Sequence, residues 1–275
     1  MNILFLGDLV GERSFNFVIK NIKSIINKYN ISLTVVNGEN IANGYGLKPE
    51  HCEGLFESGV DVVTTGNHVW DQATIIPYIA KTHNLVRPFN YKEDCPGSGY
   101  GVFKDKNDKN ILVANFICNV FMRSSDSPFK TINKLLDKYE LKKNCDAILI
   151  DIHGETSSEK QAFANMLDGK VSAVLGSHTH VPTNDLRVLP NGTAYITDAG
   201  MCGDYDSVIG GEKHVWINKF LKEENKIKIN SSSNNSSICG IIVKICEKTG
   251  LTSVAKQIII GDILQNIIPS SKIFV

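Results

Sequence analysis

Short apolar runs that stop abruptly at polar residues dominate the pattern of this chain. Asn2 to Leu6 leads into Gly7-Asp8, Leu33 to Val36 into Asn37-Gly38-Glu39-Asn40, and Val60 to Thr65 into Gly66-Asn67-His68. Ala147 to Ile152 delivers His153, Ala173 to Leu175 delivers Gly176-Ser177-His178-Thr179-His180, and Ala194 to Thr197 ends at Asp198-Ala199-Gly200. Each run has the length of a buried strand. Between them the spacing turns helical. Phe17, Val18, Ile22, Ile25 and Ile26 share one face, a helix opens at Pro49 after a loop containing Gly44 and Gly46, and further helices are predicted around Phe129 to Lys143 and Glu159 to Leu167. Strands alternating with helices over short connections imply a mainly parallel sheet.

The rhythm changes after Pro88. Tyr100 to Phe103 and Ile111 to Phe116 flank the charged turn Lys104 to Asn110 and predict an antiparallel hairpin, which opens a second sheet or forms an antiparallel edge. A second hairpin is predicted from Ile241 to Ile245 and Ser253 to Ile260, joined through Glu247-Lys248-Thr249-Gly250. Polar Asn230 to Ser237 is the one low-complexity stretch and is expected to be an exposed loop. No repeat or domain boundary is visible. The economical reading is α/β: a single domain over residues 1–275 with two sheets and flanking helices.

Composition narrows the function. With 29 basic and 29 acidic residues in 275, there is no global field to hold nucleic acid as a stable partner or an anionic membrane. The seven cysteines are odd in number, scattered, and contain no CxxC pair, so reduced thiols in a cytoplasmic protein are expected. No apolar run approaches the roughly 18 residues of a membrane span. Acidic Asp8 arrives before an apolar signal core could form, so no signal peptide is expected.

The polar residues at the strand ends carry the candidate chemistry, because side chains from distant segments converge on one rim in open α/β folds. On an extended segment His178 and His180 would face opposite ways; in a loop beyond a strand end they can serve two neighbouring ions. Glu39 can bridge two ions with its two oxygens, Asp8 adds an anionic oxygen, Asn40 and Asn67 add amide oxygens, and His153 adds a third imidazole. These ligand types suit a pair of divalent transition metals. Two such ions against two carboxylates leave an excess of about two positive charges, so the site calls for an anion. His51, His83 and His214 lack ligand-like neighbours and are expected to be surface or core residues. GxGxxG and GxxxxGK[ST] are both absent, which sets nucleotide-cofactor folds aside.

In order along the chain, GD at 7, GEN at 38, GNH at 66, the strand-end His153 and SHTH at 177 resemble the motifs of calcineurin-like metallophosphoesterases. More narrowly, NGENIANGYG, GVDVVTTGNHVWD, RPFNY, TSSEKQAF, HTHVPT and GTAYITDAGMCGDYDSVIG resemble YmdB-type bacterial phosphodiesterases, over about Met1 to Gly211. The resemblance implies two mixed sheets packed together in a four-layer αββα fold. It implies Asp8, Glu39, Asn40 and His180 around one metal, with Glu39, Asn67, His153 and His178 around the other. Iron or manganese is the first expectation for these two divalent or mixed-valence ions, with zinc as an alternative. Two departures from the wider superfamily stand out. Val10 occupies the place of the usual histidine, and Glu39 replaces the usual bridging aspartate, which leaves Asn40 as stand-in for the missing ligand. Ser14-Phe15 replaces the narrower family's Gly-Arg pair, so no substrate contact is expected there.

The implied activity is hydrolysis of cyclic nucleotides, 2′,3′-cyclic and also 3′,5′-cyclic, in which a hydroxide bridging two metals about 3.5–4 Å apart attacks phosphorus in line. His68, beside Asn67, is the candidate proton donor to the leaving ribose oxygen; its alternative reading is a helix-start histidine that bonds the loop. Asp71 and Trp70 are explained equally by packing or capping, and Asn43 to Gly46 lie where substrate contact or chain reversal would both account for them. The rival functions are a phosphomonoesterase of the same superfamily and a non-catalytic module that binds metal and phosphate for signalling. The resemblance is also compatible with a homo-oligomer.

Overall fold

A computed structural model describes residues 1–222, 229–232 and 234–275. In chain order the elements are β1 Asn2–Leu6, β2 Asp8–Leu9, α1 Glu12–Lys28, β3 Leu33–Asn37, α2 Pro49–Ser58, β4 Val62–Thr64, α3 Ile75–Ile79 and β5 Leu85–Val86. The hairpin β6 Tyr100–Lys104 and β7 Asn110–Ile117 follows, then α4 Pro128–Leu136, β8 Ala147–His153, α5 Ser157–Met166, β9 Ala173–Ser177, β10 Arg187–Val188, β11 Ala194–Ile196 and β12 Met201–Cys202. Last come α6 Lys213–Leu221 and the hairpin β13 Ile238–Ile245 with β14 Thr252–Ile260.

The strands form two six-stranded sheets, ordered β14-β13-β1-β3-β4-β5 and β10-β11-β9-β8-β7-β6. In the first, β1, β3, β4 and β5 run parallel while β13 and β14 add antiparallel strands on one side. In the second, β11, β9, β8 and β7 run parallel between antiparallel edges β10 and β6. The hairpin after Pro88 therefore opens a second sheet and also supplies its antiparallel edge.

Period-two alternation of fully apolar strands builds three separate cores. Ile3 and Phe5 of β1 join Leu149 of β8 and Leu175 of β9 between the sheets. Leu4 and Leu6 face the other way, against Val18, Ile22 and Ile25 of α1 and Leu55 of α2. Ile148 and Ile150 of β8 pack on Ile132 of α4 and Phe163 of α5. The layers are thus helix, sheet, sheet, helix, as expected. Among the described residues, no helix is long and apolar enough to cross a membrane.

The structure corrects three details. The helix expected over Phe129 to Lys143 ends at Leu136, and the following residues form turns. No helix begins at His68: residues 67–70 are a turn, so the alternative reading of that histidine keeps its loop hydrogen bonds, to Glu39 and Asp71, and loses the helix. Asn230 to Ser237 is not simply an exposed loop. Residue 233 lies outside the described residues, but Ser232, Ser236 and Ser237 are buried, and Ser232 donates a hydrogen bond to the carboxylate of Asp204. The polar composition reflects burial of hydroxyls, with Ser232 bonded to a carboxylate and Ser236 facing the Ser14 hydroxyl at 3.5 Å.

His51, His83 and His214 occupy structural or surface places. His51 Nδ1 accepts from the backbone of Lys48 while Nε2 faces Glu12 at 2.8 Å, His83 packs against the Phe103 ring, and His214 is exposed. All seven cysteines are free.

Because Phe5 is fully buried between the sheets, Phe5→Ala should cost about 3–5 kcal/mol through lost burial and the cavity left behind. Urea unfolding should show a lower midpoint at similar slope; an unchanged midpoint would contradict the packing described.

Candidate metal centre

Every parallel strand end singled out in the sequence opens onto one region, since both sheets present the carboxyl ends of their parallel strands to the same side. Glu39 and Asn40 follow β3, Asn67 and His68 follow β4, His153 closes β8, and His178 and His180 follow β9. Asp8 begins the short strand β2, which pairs in parallel with β12 rather than ending in a free loop. One ligand atom each from Asp8, Glu39 and His153 lies within 4.8 Å of the others. Around them, Asn67 Oδ1 and His178 Nδ1 both stand 3.1 Å from His153 Nε2, and His180 Nε2 is 3.9 Å from Asp8 Oδ1. Asn40 and His68 line the adjoining cleft with both histidines of the triplet.

Gly66 makes the approach of the two sheets feasible here. A Cβ at that position would fall on the Glu39 carboxylate and the His153 ring, so only glycine fits between them.

The hydrogen-bond network fixes which nitrogen of each ring faces inward. Ser177 donates to Asp151 Oδ1 at 2.6 Å, so its oxygen accepts from His153 Nδ1 at 2.9 Å, and the lone pair of His153 sits on Nε2. That atom meets Glu39 Oε2 at 2.8 Å, the Asn67 oxygen and His178 Nδ1. His180 Nδ1 donates to the Ile209 carbonyl at 2.8 Å, which likewise leaves its Nε2 lone pair facing Asp8. Lone pairs thus confront lone pairs.

Three oxygens sharpen the point. Asp8 Oδ1, Glu39 Oε2 and Asn40 Oδ1 are buried and meet no hydrogen-bond donor among the described residues. Leaving such atoms unmet costs roughly 1–3 kcal/mol each, more for charged groups. Burial, with the nearby charges of Asp198 and Glu39, holds the Asp8 carboxyl well above its ordinary range, and burial pushes Glu39 up to about 7. A proton cannot supply the positive charge from the histidine side. Burial lowers His178 to about 2 and holds His153 and His180 below their ordinary values. Neutral imidazoles, carboxylates and amide oxygens in this arrangement fit a divalent cation.

The backbone is bent to achieve this. His178 and His180 have φ of 106° and 65°, conformations uncommon for residues with a side chain. These two left-handed turns bring both rings to one cavity, which an extended His-x-His would not. The turn is held by backbone donation from His178 to Asp8 Oδ2 and from Thr179 to Asp198 Oδ2, each at 2.9 Å.

Two supporting residues, Asp151 and Lys160, were not singled out from sequence. Asp151 accepts from Ser177, from Thr64 at 2.6 Å and from Asn37 at 2.9 Å, tying both sheets together behind His153. Lys160 of α5 is fully buried and lies 3.0 Å from Asp198 Oδ2, also donating to the Ser177 carbonyl at 2.6 Å. Against a burial that would raise it, Lys160 holds the Asp198 carboxyl below its ordinary value. Asp71 sits 2.6 Å from His68 Nδ1, while the His68 backbone N–H donates to Glu39. The only sequence signal for Lys160 was its place inside TSSEKQAF; helical periodicity does not mark a lysine as buried.

The chain matches the YmdB-like protein family over residues 4–258. It is 38% identical over 262 residues to the 2′,3′-cyclic-nucleotide 2′-phosphodiesterase of Bacillus subtilis (strain 168), covering 95% of this chain and 98% of that one. A crystal structure of a hypothetical protein from Thermus thermophilus superposes with a TM-score of 0.88 at 34% identity, covering 95% of this chain and 100% of the other. That of a novel phosphatase from Mycoplasma pneumoniae gives 0.87 at 34% identity, covering 95% and 93%. The four layers are the metallophosphoesterase fold expected from the motifs. With family motifs, architecture and nearly full-length similarity in agreement, the chain belongs to the YmdB-like protein family.

Proposed function

We propose that this protein is a metal-dependent phosphodiesterase that hydrolyses 2′,3′-cyclic nucleotides, with 3′,5′-cyclic nucleotides as a further substrate class. The observation that carries the reading is the pair of unmet buried oxygens, Asp8 Oδ1 and Glu39 Oε2, facing the inward-pointing nitrogens of His180 and His153, with the unmet Asn40 Oδ1 also buried and its residue lining the adjoining cleft. The B. subtilis relative supports the substrate class. In this reading Asp8, Glu39, Asn40 and His180 hold one metal and Glu39, Asn67, His153 and His178 the other, with iron or manganese preferred and zinc as the alternative. When bound, such ions polarise phosphoryl oxygens and lower the pKa of a water molecule.

The chain's own residues do the rest. Asp151, through Ser177, keeps the His153 lone pair on Nε2, and the Ile209 carbonyl does the same for His180. The cleft beside the cluster, about 320 Å³ and lined by Asn40, Asn43, His68 and His180, receives the substrate. As water oxygen bonds to phosphorus, the P–O2′ bond breaks and the ribose oxygen takes a proton from His68 Nε2, while the proton shed by the water passes to solvent, from which His68 regains its own. Asp71 positions that ring by accepting from Nδ1. The free thiols support a reducing compartment, in line with a cytoplasmic enzyme.

The phosphatase described from M. pneumoniae favours the runner-up reading, a phosphomonoesterase. Turnover of 2′,3′-cyclic AMP, 3′,5′-cyclic AMP and AMP by manganese-loaded protein separates the two. The cyclic diester should be hydrolysed fastest; preference for AMP would overturn the proposal.

His153→Ala and Asn67→Ala should each lower metal content, read by elemental analysis, and reduce turnover by orders of magnitude while circular dichroism stays native. Full metal retention would count against the ligand assignment. His68→Ala, in contrast, should keep its metal and lose rate by ~10²–10⁴-fold, the usual contribution of a positioned proton donor; an unchanged rate would remove His68 from the chemistry.

A further inference from the structure

The cleft does not stop at the metal cluster. Its wall continues along the chain from His180, whose Nδ1 meets the Ile209 carbonyl, through Gly210 to Gly211, and the Trp216 indole edge of α6 packs directly on Gly211. Trp216, Ile229 and Val10 give this part apolar surface, while Asn43 and Asn230 bring amide groups to the same cleft. A flat apolar wall with a few amides, beside a centre suited to a phosphoester, is the composition of a site for an aromatic heterocycle.

We infer that Trp216 is the stacking platform for the nucleobase of the substrate and so sets the preference for nucleotides over base-free phosphodiesters; this rests on the phosphodiesterase reading above. Phe220 stacks on the Trp216 ring with centroids 5.8 Å apart, and the Lys219 ammonium lies 4.6 Å from the ring centroid, but both side chains are exposed. An exposed cation–π contact is weaker than base–aromatic stacking, so an entering base displaces the lysine from the ring face. Gly211 explains the close fit of the indole: a Cβ there would collide with Trp216 Nε1 and with Ile229.

The test compares 2′,3′-cyclic AMP with ribose 2,3-cyclic phosphate, a substrate without a base, using full-length metal-loaded protein. Trp216→Ala should raise KM for the nucleotide about ten- to a hundredfold, leave kcat within about twofold, and spare kcat/KM for the base-free diester. Trp216→Phe should restore most of the nucleotide KM. Equal losses on both substrates would mean that Trp216 only supports the fold, and no change on either would place the base elsewhere; both outcomes overturn the inference. A second readout does not need turnover. In a Trp70→Phe background, adenosine 3′-phosphate should quench Trp216 fluorescence saturably and ribose phosphate should not; equal quenching by both, or none, rejects the platform. Quenching without any hydrolysis would sink the phosphodiesterase reading while sustaining the base site.

Discussion

Buried lone pairs with nothing to receive them are the constraint on which the rest of this molecule depends. At the meeting of two sheets, carboxyl, amide and imidazole acceptors face one another at hydrogen-bonding distance, and burial makes the negative charge of the carboxyls costly to hold there. A folded chain tolerates such a cost only where a cation or a function offsets it. The neighbouring features follow from holding those groups in place: glycine at position 66, left-handed histidines, and hydrogen bonds that choose each ring tautomer.

The support is built in layers. Asp151 takes donors from β3, β4 and β9 and so couples both sheets behind His153. The Lys160–Asp198 pair secures the turn carrying His178 and His180 from a helix on the outer face. A buried ion pair of this kind contributes little net stability, because desolvation offsets attraction. Its value here is positional: Asp198 accepts from Thr179 and Gly200 and thereby fixes the backbone on either side of the centre.

Much of this was legible in the sequence, for a definite reason. Strands buried on both faces read as largely apolar runs, and polar residues gather at and just past their ends, so Glu39, Asn67, His153 and His178 announced themselves by position. Sheet number could be suspected from the hairpin after Pro88, but strand order could not, because β1 pairs with β13 across nearly the whole chain. Lys160, Asp151 and Ser177 stayed hidden since their roles depend on partners distant in sequence; nothing local distinguishes them from an exposed lysine or ordinary strand residues. The serine-rich stretch misled because low complexity suggests solvent, whereas Ser232 and Ser237 find acceptors or close packing inside.

The position of β1 has a consequence for how the molecule comes into being. It lies between β3 and β13, with Asn2 opposite Lys244, so β1 leaves the ribosome long before the strand that completes its sheet. Pairings so remote in sequence close slowly. Until then one edge of β1 presents open backbone donors and acceptors, a template for unwanted pairing during synthesis. Asp8, two residues beyond that strand, acquires its full surroundings only afterwards, so the centre matures as a late event of biogenesis rather than an early one.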